Sequence, residues 1–152
     1  VILGAGYDSR CYRMGLIDKG IHVYEIDAPA TQRVKRRVVA DCDINTDGIV
    51  YVLCDFEKDD WLGCLESYGF DRKLPTLFVW EGVSMYLTRK AVIETLTKVT
   101  LCKKGSCIGF DYVYSHWALT PTVKKCFKKG GEPLKFGFND ANEAEDLVAS
   151  NG

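Results

Sequence analysis

Histidine is scarce in this chain: His22 and His116 are the only two among 152 residues. So small a supply, with no cluster at zinc spacing, argues against a structural metal centre. Seven cysteines stand at 11, 42, 54, 64, 102, 107 and 126, and no two of them form a C-x-x-C. An odd, unpatterned set does not make the disulfide framework of a small secreted domain, so free thiols in a cytoplasmic protein are expected. No apolar run approaches the length of a membrane span, and no secretory leader opens the chain. A basic excess is missing too. The formal net charge is -1, whereas a protein that grips nucleic acid through its phosphates carries surplus lysine and arginine. Neither nucleic acid nor a membrane is expected as a partner.

What remains is ordinary globular material, 47% hydrophobic and 27% charged, enough for one domain over residues 1–152. Val1-Ile2-Leu3 has the character of the second half of a buried strand, and Asn151-Gly152 follows a helical pattern directly. The expectation is therefore a fragment, cut at both ends, of a longer protein. Between those ends, β-branched apolar runs alternate with helical patterns, the mark of βαβ units and a mostly parallel, doubly wound α/β sheet. Strands are expected at Val1–Leu3, Ile21–Ile26, Ile49–Cys54, Thr76–Trp80 and Ser106–Tyr112. Pro29 suits the first position of a helix. Behind it Ala30, Val34 and Val38 recur every four residues, with Gln32, Arg33, Lys35, Arg36 and Arg37 on the outer face. Arg33, Lys35, Arg36 and Arg37 are accordingly expected in solvent. Trp61–Tyr68 is a short helix with Gly69 placed to end it. Thr88 is expected as an N-cap ahead of the stripe Val92, Leu96 and Val99. Asp140 with Glu143 resembles a capping box.

In open α/β sheets, ligands bind beyond the carboxyl ends of the strands, so the residues after each strand matter most. The first strand leads into Gly4-Ala5-Gly6-Tyr7-Asp8. Two glycines allow a sharp turn and a close approach of backbone to a ligand, although a plain strand-to-helix turn needs them as well. Ser9 stands where a dinucleotide fingerprint has its third glycine. After the second strand comes Asp27, 21 residues beyond Gly6, about where an acid grips the hydroxyls of a ribose. Asp27 also suits the N-cap of the Pro29 helix, and both roles can hold together. Glu25 is expected to point away from it. After the third strand, Asp55-Phe56 offers an acceptor for an exocyclic amine and an apolar face for a purine; a turn acid followed by a core phenylalanine accounts for the pair equally well. After the fourth strand, Glu81 is expected to face a cavity, a cation or donors, because an unpaired carboxylate is costly to bury. Tyr86 follows in the same segment. Arg10 and Arg13 are expected on a helix surface without carboxylate partners, and Trp61, Trp117 and Cys54 are expected to pack.

The segments VILGAGYDSR, YEIDAPATQ, CDFEKDDW and PTLFVWEGVSMYLT closely resemble the leucine-carboxyl-methyltransferase-like family, and the likeness runs on through FDYV near 110 and GEPLKFG near 131. The resemblance implies a class I, Rossmann-like methyltransferase fold and S-adenosyl-L-methionine as cofactor. It implies that Gly4 and Gly6 approach the methionine part of that cofactor, that Asp27 binds its ribose, that Asp55 and Phe56 contact its adenine, and that Glu81 lies by its methionine end. It also implies N-terminal helices and further C-terminal strands, neither of which this sequence contains.

Methyl transfer to an oxygen of an unidentified acceptor, on a small molecule or a protein carboxylate, is the activity these residues and the resemblance suggest together. A carboxylate acceptor needs no general base, because it is ionised at neutral pH; a hydroxyl needs one. No Asp/Glu–His pair is evident, so no catalytic residue is assigned. Two other readings stand beside this one: an NAD-binding oxidoreductase, opposed by Ser9 and the Asp55-Phe56 pair, and a truncated, non-catalytic binding module.

Overall fold

The computed structural model describes residues 1–151. They divide into two compact units, Val1–Asp71 and Arg72 onward. The first contains β1 (Ile2–Leu3), α1 (Arg10–Arg13), β2 (Val23–Asp27), α2 (Pro29–Asp41), β3 (Ile49–Leu53) and α3 (Trp61–Ser67). Its strands are parallel and β2 is the middle one, pairing Ile2 with Glu25 on one side and Asp27 with Leu53 on the other. Covered on both edges, β2 is the most deeply buried of the three: Val23, Tyr24, Glu25 and Ile26 are all buried. Trp61, the first residue of α3, is buried, and Gly69 takes a φ of 88° just beyond that helix. Cys54 is buried as a packing residue.

Helix α2 is set differently from the sequence expectation. Val34 and Val38 are 45% and 43% exposed and Ala30 is exposed, whereas Gln32, Lys35 and Val39 face inward. The spacing of three and four residues from 32 to 35 to 39 is itself a helical stripe. A stripe of small apolar residues masked it because two of the inward positions are polar. Asp27 does not cap the helix either. The N-cap is Ala28, and no side chain supplies a cap bond.

The second unit contains β4 (Leu77–Trp80), a 3-10 turn (Ser84–Tyr86), α4 (Arg89–Thr100), β5 (Cys107–Phe110), α5 (Ser115–Ala118), α6 (Pro121–Lys129) and α7 (Ala141–Asn151). β4 and β5 are parallel, with Leu77 opposite Cys107 and Trp80 opposite Phe110. β5 is shorter than the Ser106–Tyr112 run, since the chain leaves the ladder after Phe110. Thr88 caps α4 by accepting the Ala91 N–H, and Val92, Leu96 and Val99 are buried. Asp140 accepts the Glu143 N–H, while Glu143 accepts the N–H of Asn139 and pairs with Arg89. The reciprocal bond of the expected capping box is thus made one residue early. Leu134, Met85 and Ala118 form a small core with Val113, Leu119, Val123 and Phe127 packed on it. Gly137 is obligatory here: a Cβ at that position would lie 2.8 Å from the Ser115 nitrogen and 2.9 Å from the Val113 oxygen. That close approach lets Ser115 donate to the Phe138 carbonyl, and Phe138 to that of Val113.

The orientation of α2 is testable. Val39→Ala should destabilise the protein by about 1.5–3 kcal/mol, the scale of lost buried methyls. Val34→Ala should stay within about 0.5 kcal/mol of the parent. Urea unfolding of both variants reads the difference, and equal losses would mean that α2 is rotated from the position described.

Candidate functional site

In the first unit, the carboxyl ends of three adjacent parallel strands carry the glycine loop, Asp27 and Asp55. The loop is bound tightly to β2. The N–H groups of Gly4 and Ala5 both donate to the Ile26 carbonyl, at 2.8 and 3.1 Å. Gly4 and Gly6 have φ of 71° and 41°, in the left-handed region that a side chain makes costly. The Gly6 N–H donates to Asp27 Oδ2 and the Ala28 N–H to Asp27 Oδ1, each at 2.6 Å. Asp27 therefore clasps the glycine loop to the start of α2. Burial raises its pKa above the ordinary carboxylate value, opposed by those two N–H groups and by the charge of Lys35.

Beneath the loop lies a group the sequence reading left in solvent. Lys35 is 2% exposed. Its ammonium pairs with Glu25 at 2.8 Å and donates to the carbonyls of Asp8 at 2.7 Å and Ala5 at 3.4 Å. Glu25 is fully buried. Residues two apart on a strand share a face, so Glu25 does not point away from Asp27, and one lysine acts on both. Tyr12 donates to Glu25 at 3.4 Å and meets Tyr51 at 3.0 Å. Burial, then Tyr51 and Glu25, push the Tyr12 phenol well above its usual value. Two signals in the sequence pointed here: a glutamate inside an apolar strand demands a cation, and Lys35 lies on the same α2 face as Gln32 and Val39. Gln32 is fully buried as well, and neither of its amide atoms has a hydrogen-bond partner among the described residues.

Arg10 does meet a carboxylate. It pairs with Asp8 at 2.6 Å and donates to it through Nε and through its backbone N–H. Arg13 instead donates to Ser9 Oγ. Asp55 accepts from the Glu57 N–H and pairs with Lys58 at 2.5 Å, while its own N–H donates to Asp59. It is thus a turn acid. Phe56, however, is half-buried and not a core residue, which leaves part of its ring accessible.

The second unit places Glu81 directly after β4, where it is exposed. Gly82 follows with φ 70° and donates its N–H to Asp111 Oδ1 at 2.7 Å. Ser84 Oγ donates to the Asp111 carbonyl. Asp111 thus ties the carboxyl ends of β4 and β5. Tyr86 is half-buried against the Met85 core, and burial followed by Glu132 raises its phenol pKa, so it is protonated at neutral pH and is no base there. Trp117 is 47% exposed and packs edge-on against Phe127. Among the described residues, no group of His, Cys, Asp and Glu is placed to hold a metal, and no helix is long and apolar enough to cross a membrane.

Comparison with solved structures defines the class. The fold is the α/β, Rossmann-like methyltransferase fold. The chain is 99% covered by PigF with SAH (TM-score 0.63, 12% identity, 43% of that chain) and by human N-acetylserotonin methyltransferase in complex with SAM (0.61, 15%, 40%). A structure described as a pericyclic reaction enzyme matches comparably (0.60, 17%, 99% of this chain and 36% of that one). Sequence then gives the family. Residues 1–100 match the leucine carboxyl methyltransferase family model, and the chain belongs to that family. It is 32% identical to YktD of Bacillus subtilis over 100% of its own length and 52% of that protein. It is 34% identical to a Mycolicibacterium smegmatis protein over 100% of its length and 53% of that one. The names of both propose an S-adenosyl-L-methionine-dependent methyltransferase activity. The chain spans about half the length of these relatives.

Asp8 supplies a pH test of the loop. Burial alone would raise its pKa, but the Arg10 side chain and backbone N–H, with Lys35, hold it below the ordinary carboxylate value. A depressed folded pKa gives stability that is present above the unfolded value of about 3.9 and lost as pH falls through the folded one. Asp8→Asn should therefore flatten the acid limb of a stability–pH curve below about pH 4. An unchanged limb would show that the Arg10 pair does not form in solution.

Proposed function

We propose that the protein is an S-adenosyl-L-methionine-dependent methyltransferase acting on an oxygen nucleophile, with the cofactor held at the carboxyl ends of β1, β2 and β3. The observation that carries this reading is the clasp between Asp27 and Gly6. It joins the Gly6 turn after β1 to a carboxylate at the same end of β2. Each carboxylate oxygen of Asp27 accepts one N–H and keeps a second lone pair, so the two oxygens retain capacity for the paired hydroxyls of a ribose. Gly4 and Gly6 present bare backbone to the methionine part. Phe56 offers an accessible ring to the adenine, and Asp55, still able to accept beyond its pair with Lys58, takes the exocyclic amine. Glu81 supplies a negative charge for the α-ammonium group.

Bound in this way, the cofactor supplies a methyl group activated by a sulfonium; the residues of this chain orient and desolvate it. A carboxylate acceptor fits best with the residues present, since the phenol of Tyr86 is protonated at neutral pH and no Asp/Glu–His pair is described. The acceptor belongs to a small molecule or to a protein. The cytoplasm, where the free cysteines stay reduced, is the compartment this chemistry suits.

Asp27→Ala in the intact protein should weaken S-adenosylhomocysteine by about 1–3 kcal/mol, the scale of a lost charge-assisted hydrogen bond. Calorimetry reads this, with NAD as the control ligand that should not bind. Unchanged affinity for S-adenosylhomocysteine would remove the ribose assignment, and binding of NAD instead would replace the reading with the oxidoreductase one.

Glu81→Gln keeps size and hydrogen bonding but removes the charge. Affinity for S-adenosylmethionine and the single-turnover rate should fall together if Glu81 pairs with the ammonium. A rate loss at unchanged affinity would instead make it a general base, and wild-type values for both would remove it from the site.

A further inference from the structure

Lys35 stands on α2, outside every group used by the function proposed above, yet its ammonium spends all three donors beneath the cofactor loop. One goes to Glu25 and two go to the carbonyls of Ala5 and Asp8. Those carbonyls lie on either side of Gly6, whose N–H meets Asp27. We propose that Lys35 is a positioning residue for the cofactor. It fixes the Ala5–Asp8 turn from below, so that the bare face of Gly6 and the carboxylate of Asp27 are already placed when the ligand arrives, and Glu25 serves as its counter-charge. The inference rests on the S-adenosylmethionine reading.

Three features support a role in the loop beyond packing. The first is saturation. An ammonium has three N–H donors, and here each has an acceptor, two of them backbone atoms of the loop itself. The second is burial. An ammonium with almost no access to water is costly unless it is paired and fully hydrogen-bonded, and a non-polar side chain of similar length fills the same space without that cost. The third is shape. Three acceptors converge on one compact charge, which a lysine meets and the flat fork of an arginine does not. The pair with Glu25 keeps the charge inside; the carbonyl bonds are what the loop gains from it.

Stability and positioning are separable because they depend on different bonds of the same nitrogen. Removing one partner of a buried pair leaves an uncompensated charge, whereas replacing both with apolar residues is often neutral or stabilising. Three variants of the intact protein follow: Lys35→Met, Glu25→Gln, and the double Glu25→Met/Lys35→Met. Each is titrated calorimetrically with S-adenosylhomocysteine and unfolded in urea.

Lys35→Met should lose stability and bind at least about tenfold more weakly. The double variant should recover most of the stability but keep the weak binding, because the Asp8 carbonyl still lacks its lysine donor and the Ala5 carbonyl keeps only the Asp8 N–H. Glu25→Gln should lose stability with affinity kept within about threefold, since the carbonyl bonds survive. Affinity that returns with stability in the double variant, or falls with it in Glu25→Gln, would make Lys35 merely structural and overturn the inference. Should the double variant not fold, the Glu25→Gln result decides alone. Failure of the unsubstituted protein to bind S-adenosylhomocysteine would overturn the proposed function and this inference with it; normal binding there, with unaltered binding in the double variant, would overturn only the inference.

Discussion

A buried ammonium admits few arrangements. Lys35 is shut away from water, so its charge needs an anion within reach and its hydrogens need acceptors. Glu25 and the carbonyls of Ala5 and Asp8 meet both needs, and in doing so they bring together the inner face of α2, the middle of β2 and the turn after β1. Such a pair contributes little net stability, because desolvation consumes most of its attraction. What it gives is specificity of arrangement. α2 cannot rotate or slide without stranding a charge, so the turn that carries Gly6 is set by a helix with which it shares no sequence proximity. The exposure of Val34 and Val38 follows from this constraint: the face that satisfies Lys35 is the face turned inward.

Asp27 sits one layer above and feels the same lysine. Its burial disfavours the charged form, while the Gly6 and Ala28 N–H groups and Lys35 favour it, and burial prevails. With the folded pKa above the unfolded one, the protonated form is the one folding favours, and that contribution is lost as pH rises through the folded value. The two N–H groups and the lysine thus offset the cost of burial only in part.

The ends of β2, β3 and β4 were legible in the sequence because an acid (Asp27, Asp55, Glu81) closes each apolar run, and an unpaired carboxylate is costly to bury inside a covered sheet. The alternation of strands and helices, the Thr88 cap and the Val92–Leu96–Val99 stripe were readable for the same reason: each follows from local chemistry. Misreadings arose where partners far apart in the chain decide the outcome. Lys35 reads as solvated until Glu25 is placed opposite it. Arg10 is the exception, since its partner Asp8 stands only two residues before it. The helix over Pro121–Lys129 has no fully buried residue, and only Val123 and Phe127, four residues apart, pack on the Met85 core.

The carboxyl ends of the parallel pairs in both units are closed by one device. An acid at the end of one strand accepts the N–H of a left-handed glycine placed just past the end of another: Asp27 from Gly6, and Asp111 from Gly82. The geometry explains the recurrence. Where parallel strands stop, backbone N–H groups lose their ladder partners, and a carboxylate accepts them more strongly than a neutral group does. Glycine lets the chain turn so that the N–H points back at the acid. The two clasps differ in one respect that bears on function. Asp111 is exposed and can complete its solvation with water, whereas Asp27 is partly buried and its pKa is raised. In the first unit that carboxylate also stands over a turn whose Ala5 and Asp8 carbonyls take hydrogen bonds from a buried lysine, so that loop, helix and acid are set as one piece.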